Sequence, residues 1–90
     1  MYRRTITFTG TVQGVGFRYT AESIARRHAV TGWVRNEADG SVLCVVEGEP
    51  AELDRFVSAV QHAMHGYISD TSVQAAPATG EFRDFSIRRG

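Results

Sequence analysis

Thr5-Ile6-Thr7-Phe8-Thr9-Gly10-Thr11-Val12-Gln13-Gly14-Val15-Gly16-Phe17-Arg18 contains the change of period from which the fold can be read. Ile6 and Phe8 alternate with Thr5, Thr7 and Thr9, and Val12 keeps the same parity. The first half therefore has the period of two and the β-branched content of a strand. Gln13-Gly14-Val15-Gly16 breaks the alternation. Beyond it Phe17, Ala21, Ile24, Ala25 and His28 recur at helical spacing while Glu22, Arg26 and Arg27 face elsewhere, which predicts an amphipathic helix directly after the glycines.

Further along, Thr31 to Asn36 returns to a β pattern, Asp39-Gly40 supplies turn chemistry, and Ser41 to Glu47 is again β-rich, so the three together predict a hairpin. Gly48-Glu49-Pro50 opens a second helix, with proline in its first turn and Glu49, Glu52 and Asp54 near the positive end of its dipole. Leu53, Phe56, Val57, Val60 and Met64 form its apolar stripe, and Gly66 is the expected cap. Val73 with its neighbours, then Phe85 and Ile87, predict one or two closing strands around an Ala76 to Gly80 loop. The order βαββαβ implies an α+β, ferredoxin-like split-βαβ sandwich: an antiparallel sheet of four or five strands with both helices on one face. In that topology the third strand pairs with both the first and the second, so those two run parallel and finish at one edge. Residues Gln13 to Arg18 are thereby brought to Asn36, although Arg18 and Asn36 are eighteen positions apart.

Ninety residues suit one domain, 1–90, burying roughly 60 to 65% of its unfolded surface. Ten basic and ten acidic residues cancel, so no nucleic-acid partner is expected from charge. No RNP-like basic and aromatic run argues for RNA on the sheet either. Met1 to Arg4 leads straight into the first strand without the apolar stretch of a signal or spanning segment, so no membrane partner is expected and the cytoplasm is the expected compartment. Cys44, the sole cysteine, falls in the apolar run Val42 to Val46 and reads as a core residue. His28, His62 and His65 have no metal-ligand spacing, and no arrangement of Ser23, His28 and the acids supports a triad, so neither a metal nor a cofactor is expected.

What stands out chemically is Gln13-Gly14-Val15-Gly16-Phe17-Arg18. It combines glycines that tolerate unusual dihedrals, backbone N–H groups outside any ladder, and a helix N-terminus just beyond, which are the parts of an anion cradle. Arg18 adds a planar, permanently charged fork suited to phosphate oxygens. No Gly-Lys-Ser/Thr follows, so it is not a Walker loop, and the third glycine of a dinucleotide fingerprint is missing. The same residues are also compatible with a tight strand-to-helix turn bearing a surface arginine, or with a non-catalytic receptor for a phosphorylated or acidic partner.

Val12-Gln13-Gly14-Val15-Gly16-Phe17-Arg18, then Gly32-Trp33-Val34-Arg35-Asn36, then Asp39-Gly40-Ser41-Val42, resembles the acylphosphatase pattern in order and spacing. The resemblance extends over essentially the whole chain, down to the Phe85-x-Ile87 pair. It implies the same sandwich and a monomeric, metal-independent hydrolase of acyl phosphates that releases inorganic phosphate. It also implies phosphate held by the amides of Gln13, Gly14, Val15, Gly16, Phe17 and Arg18 and by the Arg18 guanidinium, with Asn36 positioning the attacking water. Thr11, where many relatives carry a basic residue, and His65-Gly66-Tyr67-Ile68, which lacks a proline turn, depart from the pattern. Arg35, by strand alternation, points away from Asn36 to the other face.

Overall fold

A computed structural model describes residues 1–89. The elements run β1 (Tyr2–Gly10), α1 (Phe17–Ala25), β2 (Val30–Asn36), β3 (Val42–Gly48), α2 (Pro50–Ala63), β4 (Ile68–Pro77) and β5 (Phe85–Arg88). They build one sheet in the order β4-β1-β3-β2-β5. This is the ferredoxin-like sandwich, with the core between the sheet and the two helices. β3 is antiparallel to both β1 and β2, with Ile6 opposite Cys44 and Val34 opposite Cys44 from the other side.

The expected wholly antiparallel sheet needs one correction. β5 pairs parallel with β2, Gly32 opposite Phe85 and Arg35 opposite Arg88, so the sheet is mixed. The cause is topological: β4 and β5 lie at opposite edges, and the chain between them must cross the sheet before β5 can begin. Helix α1 also ends at Ala25, which leaves His28 in the following turn instead of on the helix.

Alternation decides what enters the core. Ile6, Phe8, Val34, Cys44 and Val46 face the helices and are almost wholly buried, as are Phe17, Ala21 and Ile24 of α1 and Leu53, Phe56 and Val60 of α2. Burial pushes the Cys44 thiol pKa up, so it remains a neutral core residue. Gly32 permits a close approach between strands: its φ is +147°, and an added Cβ would lie 1.9 Å from the Val45 carbonyl oxygen.

The face turned away from the helices is covered differently. Trp33 is held under two guanidinium groups, those of Arg35 and Arg88, each 4.8 Å from the ring centre. The β4–β5 connection passes over Arg3 and Glu47. There the buried Glu47 carboxylate accepts hydrogen bonds from the Thr79 N–H at 2.9 Å, the Gly80 N–H at 3.0 Å and Arg3 Nε at 2.8 Å. Burial alone would raise the Glu47 pKa, but the Thr79 and Gly80 amides with Arg3 outweigh it and hold the carboxyl at about 2.

A carboxyl whose folded pKa lies below its ordinary 4.5 stabilises the fold fully above that value and loses the contribution as pH falls toward about 2. Denaturant unfolding between pH 6 and 2 should therefore show stability declining in this window. Glu47→Gln should lower stability at pH 6 by about 2 kcal/mol and flatten the decline.

Candidate active site

β1 ends at Gly10, and the Thr11 N–H donates to the Tyr67 carbonyl at 2.9 Å. The next backbone N–H with an intramolecular acceptor is Thr20, donating to Gly16 at 3.0 Å. Among the described residues, none of the amides from Val12 to Tyr19 donates to another protein group. Gly14 and Gly16 have φ of +75° and +78°, whereas Gln13, Val15 and Phe17 have negative φ. That alternation is the backbone pattern of anion-binding nests. Gly16 is also the N-cap of α1, so the free amides of the loop run directly into those of the first helical turn. A side chain at Gly14 or Gly16 would meet no neighbour, so the requirement there is for left-handed backbone and not for space.

Both ends of this loop are pinned. Phe17 is 2% exposed and packs on Phe8 with ring centres 4.9 Å apart. Gln13 reaches the other way: its Nε2 donates to the carbonyls of Glu37 at 2.7 Å and Ser41 at 2.9 Å. Because both partners are acceptors, only the NH2 end of the carboxamide fits there. The sequence placed Gln13 in the cradle through its N–H; what it did not show is that the side chain ties the cradle to the β2–β3 turn. That turn is itself braced, since Asp39 Oδ1 accepts from both the N–H and the hydroxyl of Ser41, at 3.0 and 2.6 Å. The Ser41 hydroxyl bond, then its N–H bond, hold the Asp39 carboxyl below its usual range.

Asn36, the last residue of β2, stands across from the loop, and a cavity of about 180 Å³ is lined by Gly14, Gly16, Arg18 and Asn36 with Val12 and Phe17 at its base. The half-buried Arg18 and Asn36 side chains make no ion pair or hydrogen bond with another side chain or backbone group among the described residues. Arg35 is occupied elsewhere, with Nε 2.8 Å from Glu37 Oε2 and its guanidinium over Trp33. Arg18 and Asn36 also line a wider depression of about 750 Å³, together with the ion-paired Arg35 and Glu37, Ala38 and Arg89. Arg89 carries no motif signal, and the sequence reading missed it.

Comparison with known proteins gives the architecture a family. The acylphosphatase family model matches residues 4–87. The chain belongs to the acylphosphatase family. It is 44% identical over 86 residues to an acylphosphatase of Paenarthrobacter aurescens, covering 94% of this chain and 92% of that one. A crystal structure of acylphosphatase from Bacillus subtilis superposes with a TM-score of 0.91 at 36% identity, covering 98% and 99% of the two chains. The crystal structure of T. kodakarensis HypF matches with a TM-score of 0.85 at 28% identity, over 100% of this chain but only 12% of that one.

If Gln13 holds the cradle in place, Gln13→Ala should fold with a loss of about 1 kcal/mol. Its backbone at 13–16 should show lower 15N order parameters than in the parent, while β1 and β3 keep theirs. Unchanged order parameters in the loop would show that Phe17 alone fixes it.

Proposed function

We propose that the site hydrolyses acyl phosphates, with the phosphoryl group held by the amides of residues 13–18 and the Arg18 guanidinium, and with the attacking water oriented by Asn36. The observation carrying this reading is the run of amides ending at a helix N-terminus, opposite the Asn36 carboxamide, none of them with a protein partner among the described residues. Membership of the family supports the reaction class.

The chemistry asks for few groups. A carboxyl phosphate expels a carboxylate whose conjugate acid has a pKa near ~4, so the leaving group departs at neutral pH without a proton from the enzyme. What remains is to align water with the breaking P–O bond and to stabilise charge spreading over the phosphoryl oxygens. Fixed N–H donors and Arg18 do the second, and they need no reorientation as the charge moves. Asn36 does the first: its carboxamide oxygen accepts from water and its NH2 can donate to a phosphoryl oxygen, so it orients without serving as a base. The new P–O bond forms from the water oxygen, the bond to the carboxylate breaks, and the water proton passes to a phosphoryl oxygen. One acyl phosphate dianion and one water thus give one carboxylate and one H2PO4⁻. No step in this scheme requires a metal, and a monomer suffices.

Purified protein should hydrolyse benzoyl phosphate with chelator present. Arg18→Ala and Asn36→Ala should each keep the parent circular dichroism spectrum and lose about 100- to 1,000-fold in kcat/KM, the scale of removing one charge-stabilising or positioning group. Phosphate binding without turnover in the parent would instead favour an anion receptor.

A further inference from the structure

The parallel pairing of β5 with β2 has a consequence at the site. Val34 lies opposite Ile87 and Arg35 opposite Arg88, the last pair of the ladder, and Arg89, the next residue, lines the wide depression together with Asn36. Alternation gives Arg89 the parity of Phe85 and Ile87, whose side chains pack toward the helices, and this is the face on which Arg18 stands. Its side chain accordingly borders the wide depression next to Arg18 and Asn36, yet it takes no part in lining the smaller glycine-loop cavity.

The charges around the depression are unequal. Glu37 accepts from Arg35 at both oxygens, 2.8 and 3.3 Å away, so those two charges offset each other. Arg18 and Arg89 have no acidic side chain within ion-pair distance among the described residues. Arg18 faces both cavities and is shared with the phosphoryl group, whereas Arg89 faces only the larger one. At about 750 Å³ that depression is within the ~300–1,000 Å³ usual for small-molecule sites, and it shares Arg18 and Asn36 with the glycine-loop cavity, so it adjoins any substrate whose phosphoryl group is held in the loop.

We infer that this depression is the acyl subsite and that Arg89 selects acyl phosphates whose acyl chain carries a second anionic group. The inference rests on the acyl-phosphate reading of the loop and adds the substrate class. In its terms the enzyme clamps a substrate charged at both ends: the phosphoryl end on the amides and Arg18, the distal carboxylate or phosphate on Arg89.

Binding of two unreactive probes, benzylphosphonate and 4-carboxybenzylphosphonate, tests it by calorimetry on the whole chain. The parent should bind the carboxylated probe about three- to fivefold more tightly, the worth of one partly exposed charge pair, and the preference should shrink at high salt. In Arg89→Ala the ratio should fall to one or below, and Arg89→Lys should restore part of it. A ratio of one in the parent, a ratio unchanged in Arg89→Ala, or equal weakening of both probes in that variant would overturn the inference. Arg18→Ala, run alongside, separates the two readings. If benzylphosphonate binds the parent and not Arg18→Ala, the phosphoryl site stands whatever Arg89 does; if it does not bind the parent, both fall.

Discussion

The central place of β3, antiparallel to β1 on one side and to β2 on the other, forces those two neighbours to end at the same edge of the sheet. Everything at the site is hung from that edge. The glycine loop leaves β1 there, Asn36 closes β2 there, and the turn that Gln13 grips connects β2 to β3 there. Register matters as much as direction. Slipping β2 by one residue against β3 would exchange the faces of Asn36 and Arg35, replacing a neutral carboxamide at the cavity with a guanidinium. Val34, Cys44 and Val46 oppose such a slip because each is completely buried, and Gly32 opposes it because only glycine fits against the Val45 carbonyl.

At the far end of the sheet the chain solves a different problem. Moving from β4 at one edge to β5 at the other exposes a connection with its own backbone polar groups. Glu47 receives two of them, and Arg3 neutralises the carboxylate from beside it. A buried anion is unfavourable unless its lone pairs are satisfied, and here they are satisfied by the segment it secures. The same arrangement delivers β5 in the parallel sense, which is what carries Arg89 to the site edge. The closed end and the open end of the sandwich are thus connected through a single four-residue strand.

How far the sequence discloses this depends on the range of each interaction. Alternation in Thr5–Thr9 and the 3.6-residue recurrence from Phe17 are local, and they revealed the first strand, the first helix and the glycine loop between them. Bringing Asn36 to Arg18 needed one further step, the pairing of three strands, and the match to a family pattern agreed with it. The final third was less legible for physical reasons. β4 is an edge strand, mostly exposed along Ser69 to Pro77, so neither face had to be apolar and no alternation was written into it. β5 is short, and the crossing that leads to it is fastened by the Thr79 and Gly80 bonds to Glu47, more than thirty positions away. Gln13's side chain and Arg89 share that difficulty: what they do depends on carbonyls and strands distant in the chain, and glutamine and arginine otherwise suit any exposed position. Predicting His28 on α1 failed because the helix stops once its buried face is complete at Ala25.

The loop also concentrates the structural costs of the site in a small space. Ordering two glycines with positive φ costs chain entropy, and the amides beside them have no protein acceptor among the described residues, yet Phe17 in the core and Gln13 on the turn fix the segment from both sides. Such donors are already pointed before any anion arrives, whereas water would have to reorganise around it. Under the proposed function, the same electrostatics favour a neutral amide at position 36. In the proposed reaction an aspartate there would face a dianionic phosphoryl group at close range, and the repulsion would oppose binding, while no protein base is called for because the proton of the attacking water passes to a phosphoryl oxygen. A side chain that can both accept from water and donate to phosphate is sufficient, provided the strand under it cannot shift. On the proposed reading, the place of β2 between β3 and β5 is what lets so weak a polar group serve at the centre of the site.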